Sequence, residues 1–252
     1  MTVVSFCIAA TASAAPPGAA YTCTGGDLGS GNFTSIPSGN YASITVAGVC
    51  NTVPGAVINV TGNINVAPGG VFDAQSVTAT INVGHNITAG AGSLLGLGCQ
   101  PTNTIGRFAG VPCNDNPNGR TFITVNGNIT ATDADTVLIR KVTVGSNVTL
   151  TGGGGEIPWS IKGNTIARNL TISDVAADWL GVQFNLIGNN ATLTNITALD
   201  PGDPGRTVAV VENTVGNILN CTGLEPGVSG GFIPGEVNHV GHKALGQCAA
   251  LV

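Results

Sequence analysis

Asparagine followed by an apolar residue returns along this chain at a near-constant interval, and few folds are open to a chain that repeats in this way. The positions are Asn40, Asn63, Asn86, Asn128, Asn147, Asn169, Asn190 and Asn217; the step from Asn86 to Asn128 is double, and the rest lie near one value. A fixed period of roughly 20–50 residues is the mark of a solenoid, a propeller or an array. The residues that follow the asparagines are Tyr41, Ile64, Ile87, Ile129, Val148, Leu170, Ala191 and Ile218. Three positions before six of them stand Val60, Val83, Val125, Val144, Ile166 and Ile187. A β-branched residue that comes back once per turn buries itself against its equivalent in the next turn, which is the pattern of a solenoid. Between these columns, AVINVTGNINV at 56–66 alternates apolar with Asn or Thr, as short half-buried strands broken by Gly and Asn turns do.

Such a body has an unusual surface. Only 8% of residues are charged, against about 25% in an average soluble domain. Solubility must come from Thr, Ser, Asn and backbone. A net charge of −5 without a basic cluster provides no footprint for nucleic acid, and that partner is set aside. Residues 3–10, VVSFCIAA, precede small residues at 11–14 and predict a secretory signal segment over 1–14, hence a secreted, extracellular chain. No later apolar run reaches the roughly 18 residues needed to span a bilayer, so no membrane insertion of the mature chain is expected.

With Cys7 assigned to the leader, six cysteines remain in an oxidising context. In a linear solenoid only adjacent coils meet, so spacing predicts Cys23–Cys50 and Cys221–Cys248, each pair about one coil apart, and Cys99–Cys113, which closes a shorter loop. No C-x-x-C occurs to suggest a thiolate metal site. The expected organisation is a cap or lead-in over 15–37, the repeat over 38–222 with a disulfide-tied loop at about 96–120, and a C-terminal cap over 223–252 that covers the open sheet edge.

Coil length, short strands and Asn-rich turns over about 38–222 resemble the right-handed parallel β-helix of the pectin-lyase-like proteins. The resemblance implies an all-β, single-domain right-handed parallel β-helix, or β-solenoid, with coils of about 20–23 residues. It also implies stacked asparagines that hydrogen-bond along the axis at a turn. Asn164 and Asn185, five residues before a repeat Asn where Ile58, Ile81, Ile123 and Val142 stand in earlier coils, are the candidates. The catalytic elements of that family do not follow. Neither the W-x-D-H of pectate lyases nor the N-T-D, D-D, G-H-G and R-I-K of polygalacturonases occurs, and the two G-H pairs read GHN at Gly84 and GHK at Gly241. No catalytic residue, metal or cofactor is assigned.

Because charges are scarce, their positions carry information. Asp135 and Asp178 stand at the same place before the next repeat Asn, with Glu156 one place further back, and Arg140, Lys162 and Gln183 share a second place. Trp159 and Trp179, the only tryptophans, fall between these two columns. Three readings of this stretch are open: a paired charge ladder whose Trp rings cover a core edge, a groove that stacks sugar rings on indoles, or a carboxylate pair at the 5–9.5 Å or so used in glycoside hydrolysis. Thr88, Thr130, Thr149, Thr171 and Thr192, two after the repeat Asn, form an outward column suited either to solvent or to a regular surface such as ice. His239 and His242 near Glu236 read as exposed cap residues; Asp133 and Asp135 in TDAD, and Asp200 and Asp203 in DPGDPG, resemble calcium loops by composition alone, and the second is more economically a double turn. Nine N-x-[ST] triplets largely coincide with the repeat.

The expected function is that of a secreted, non-enzymatic structural, adhesive or cell-surface module. The alternatives are a protein that binds or cleaves polysaccharide on the Asp135–Gln183 face, with a cell-surface glycan as partner, and an ice- or crystal-binding protein. The oligomeric state is not legible.

Overall fold

A computed structural model describes residues 18–101, 111–200, 208–230 and 237–252; the leader expected over 1–14 lies outside the described residues. The chain winds into a parallel β-solenoid of about nine turns, consistent with a right-handed β-helix. Apart from one short 3-10 turn at Gln247–Ala250, its regular elements are strands. A coil has three sides, as in Trp159–Lys162, Thr165–Ile166 and Leu170–Ala177. First-side strands form a nine-stranded parallel sheet from Thr34–Ile36 to Val228–Ser229, and second- and third-side strands together form an eighteen-stranded one.

The β-branched column fixes the register. Tyr41, Val60, Val83, Val125, Val144, Ile166, Ile187 and Val215 pair coil to coil, and none is more than 2% exposed. A second buried column on the third side runs Ile64, Ile87, Ile129, Val148, Leu170 and Ala191. Adjacent coils lie about 4.8 Å apart, so each apolar side chain touches its copies above and below.

Two of the eight repeat asparagines sit differently from the sequence expectation. Asn40 pairs with Asn59, four residues before Asn63, and Ser43 takes the level of the repeat Asn, because Ile44 pairs with Ile64. At the last step Leu219, not Ile218, pairs with Ala191 and fills the core; Asn217 falls one residue short. The other asparagines form a half-buried ladder. The backbone N–H and side-chain amide of Asn86 donate to Asn63 Oδ1 at 3.0 and 3.2 Å, and the same double bond recurs from Asn128 to Asn86, Asn147 to Asn128 and Asn169 to Asn147. Asn189 and Asn190 together supply it to Asn169, and Asn217 and Ile218 to Asn190.

A second ladder is buried. Asn164, Asn185, Asn213 and Asn238 stack between the first and second sides, each at most 2% exposed. Each of the first three donates its backbone N–H and its side-chain amide to the Oδ1 of the next, at 2.9–3.0 Å. The remaining amide proton of each meets a backbone carbonyl, of Ile139, Ile161, Val182 and Val210 respectively, at 2.8–3.0 Å. Asn164 and Asn185 were expected here; Asn213 and Asn238 extend the file.

The third-side strands bend where Asp133, Gly152, Asp174, Asn195, Gly223 and Gly246 adopt positive φ in successive coils, a conformation Gly, Asn and Asp accept at least cost. All three expected disulfides form: Cys23–Cys50, Cys99–Cys113 and Cys221–Cys248. The coils reach further than 38–222, since Ala19–Cys23 pairs with Gly39–Val46 and Lys243–Gly246 with Ile218–Glu225.

Candidate functional site

On the first side, side chains alternate between core and solvent. Val137 and Ile139 point in, Leu138 and Arg140 out; in the next coil Trp159 and Ile161 point in, Ser160 and Lys162 out. Pairing sets Arg140 beside Lys162 and Lys162 beside Gln183. These three line a cavity of about 300 Å³ with Leu138, Ser160 and Trp179; Val111, Ile157 and Pro158 form its apolar rim. Among the described residues, no carboxylate lines it.

The cations are held rather than free to swing. Arg140 Nη1 donates to Gln75 Oε1 at 2.6 Å and Nε to Ser160 Oγ at 3.5 Å. Burial pulls the Arg140 guanidinium down to a pKa of about 10. Lys162, whose ammonium lies 5.8 Å from the centroid of the Phe184 ring, is also lowered, first by burial and then by the charge of Arg140. Gln183, only 6% exposed, continues the column.

The two tryptophans part company. Trp159 is 0% exposed, and its indole N–H donates to the Asp135 carbonyl at 3.0 Å, so it is a core residue and leaves the set of ligand-binding candidates. Trp179 is half-exposed at the cavity wall. Its ring lies across Gly181, where a Cβ would come within 2.2 Å of Trp179 Cζ3; the missing side chain is what lets the indole lie against the strand.

The acids stand apart from this pocket. Asp135 and Glu156 are exposed and Asp178 is half-exposed. Backbone bonds put the three out of line: Gly154 N–H donates to Ala134 O, Ala176 N–H to Gly153 O and Asp178 N–H to Gly155 O, which sets Asp135 level with Gly154 and Ala176, and Asp178 level with Glu156. The three acids therefore do not stack in one column. His239 lies in the short strand His239–Val240 opposite Thr214, so the H-x-x-H is not on a helix face.

A second feature occupies the third side. Thr22, Thr45, Asn65, Thr88, Thr130, Thr149, Thr171, Thr192 and Asn220 pair in one outward file. Beside it, Thr132, Thr151, Ser173, Thr194 and Thr222 pair in another. All are exposed or half-exposed. The result is a hydroxyl grid of about 4.8 Å between coils by about 6.6 Å along the strand, with no charged residue in either file. The sequence exposed only the first file. The grid also accounts for most N-x-[ST] triplets, because their Asn stands in the half-buried ladder and their Thr in the file.

No protein-family model matches the chain, and neither the curated proteins nor the solved structures yield a match to it.

Proposed function

We propose that this protein is a non-enzymatic adhesive module, exported by its leader, that attaches to an extended and regular surface, a cell-surface polysaccharide foremost, through its third side. The double hydroxyl file from Thr130/Thr132 to Thr192/Thr194 carries the reading. Each hydroxyl contributes little alone. Fixed on a rigid sheet, the files engage a repeating partner together without the ordering cost a flexible surface incurs. Files free of charge also bind in a manner largely indifferent to salt. The three disulfides fit an extracellular setting, and the acids that a lyase or hydrolase reading would use do not line the first-side pocket.

The test is co-sedimentation of the full chain with insoluble cellulose, chitin and peptidoglycan, alongside partition into growing ice, since the same regular grid also suits a lattice of ordered water. Depletion onto one polysaccharide, unchanged by added salt and abolished by Thr149→Tyr with Thr171→Tyr, is the expected result. Both sites point outward, so the variant keeps its melting temperature. Partition into ice alone would replace polysaccharide with ice as the partner; binding that survives both substitutions would end the proposal for this face.

A further inference from the structure

We infer that Asn118 is a self-modification site, at which the chain's own backbone converts the side-chain amide to a carboxylate with water as the only co-reactant. Gly119 N attacks Asn118 Cγ; the new C–N bond closes a cyclic succinimide as the Cγ–Nδ2 bond breaks, and the amide group leaves with the Gly119 proton as ammonia. Water then opens the ring at either carbonyl, which gives an aspartyl or an isoaspartyl residue at position 118. The attack needs a following residue whose nitrogen no side chain shields. The sequence offers Asn-Gly twice, at Asn118–Gly119 and Asn126–Gly127.

Exposure does not separate the two pairs, since both asparagines are exposed. Backbone anchoring does. Asn126 N–H donates to Val83 O at 2.9 Å and Gly127 N–H to His85 O at 2.7 Å, both in the preceding coil. A Cβ on Gly127 would come within 2.5 Å of His85 O and Asn86 Oδ1, and one on Gly145, in the next coil, within 2.3 Å of Asn126 O. Held between two coils, this peptide turns its nitrogen onto the side chain only by breaking the ladder. The first pair sits instead in the turn Asn116–Gly119, where Gly119 N–H donates to Asn116 O at 2.8 Å and Asn118 N–H to Asn116 Oδ1 at 3.1 Å. Both bonds stay inside the turn, so opening it leaves the coils intact. Its flanks are pinned: Asp115 accepts the backbone N–H and hydroxyl of Thr78 at 2.8 and 2.6 Å, and the Arg120 guanidinium lies 5.0 Å from the Phe122 ring centroid. Only the tip has to move. An isoaspartyl link lengthens the backbone by one carbon, which a turn outside the sheet absorbs and a stacked coil does not. The new carboxylate arises two residues from Arg120, so a neutral exposed tip becomes an anion beside a cation.

Incubation of the full chain with its disulfides intact, in mildly alkaline buffer made with heavy-oxygen water, tests it by peptide mass mapping. The peptide holding Asn118 should gain the acid with one heavy oxygen, as a mixture of aspartyl and isoaspartyl forms that an isoaspartyl methyltransferase distinguishes. It should do so at least about tenfold faster than the peptide holding Asn126, whose two coil-to-coil bonds must open first. In urea with the disulfides reduced the two rates should converge, which locates the difference in the fold. Asn118→Gln, one methylene longer and unable to close the same ring, should stay an amide while its circular dichroism melt matches that of the parent chain. Equal rates at the two pairs in the folded chain, an aspartyl product alone, or conversion at neither pair until the chain is unfolded would each overturn the assignment.

Discussion

Replacing Asn185 with Ala removes the centre of the buried ladder and measures what that ladder is worth. The side chain donates to Ile161 O at 2.8 Å and Asn213 Oδ1 at 2.9 Å, and accepts from the backbone and side-chain nitrogens of Asn164 at 3.0 Å each. Four hydrogen bonds at about 1 kcal/mol net give about 4 kcal/mol, and the buried Asn164 N–H left without an acceptor adds about 1–3 more. For a chain of this size each kcal/mol lowers the melting midpoint by about 2–4 °C, so the loss should be at least about 10 °C, read by circular dichroism with the disulfides intact. Asn82→Ala is the control, since that exposed asparagine makes one side-chain bond, to Asn59 Oδ1 at 2.9 Å, and should cost about 0.5 kcal/mol. Asn185→Asp adds a test of sign. A carboxyl buried there loses both donors and has its pKa raised by desolvation. Its folded pKa then exceeds its unfolded one, so the variant regains stability as pH falls through the folded value. If Asn185→Ala melts with Asn82→Ala, the ladder is a passenger on the aliphatic core and the reasoning fails.

Two further outcomes test the frame. Val144→Asp puts an unpaired charge into the stacked column at a position 1% exposed and should cost about 3–5 kcal/mol; an unchanged melting temperature would contradict the register. Converting Cys221 and Cys248 to Ala opens a bridge of separation 27, for a loss of about 3.5 kcal/mol by the loop-entropy relation. Hydrogen exchange should then quicken first in Lys243–Gly246, with Val60 and Val83 protected as before.

The core was legible because its columns recur in sequence. Val60 to Ile187 could be read off spacing alone, and so could the three disulfides, since a solenoid lets only neighbours meet. What failed were positions where a local shift hides a register step. Asn40 belongs to the Asn59 and Asn82 file, and only pairing to the next coil distinguishes the two. Asn213 and Asn238 escaped notice because they lie 28 and 25 residues from their predecessors, beyond the usual coil. The tryptophans did leave a signal. Trp159 is three residues before outward-facing Lys162 and Trp179 four before outward-facing Gln183, and in a strand an odd offset places a side chain on the opposite face. That parity separates the core indole from the exposed one. The apolar rim of the pocket left no such trace, because Val111 reaches it from a loop.

The two asparagine ladders point in opposite directions along the axis. Backbone N–H groups, which can only donate, fix the orientation of each amide: the half-buried file donates from later coils to earlier ones, the buried file from earlier to later. Each file is a row of amide dipoles aligned head to tail, in which every member polarises the next. From Asn164 to Asn217 the rows run side by side and their fields oppose, whereas from Asn63 to Asn147 the buried row has no counterpart, and the exposed Asn40, Asn59 and Asn82 donate in the same sense as the half-buried file. The amide dipoles are therefore unevenly arranged along the solenoid, aligned in its N-terminal coils and opposed in its C-terminal ones.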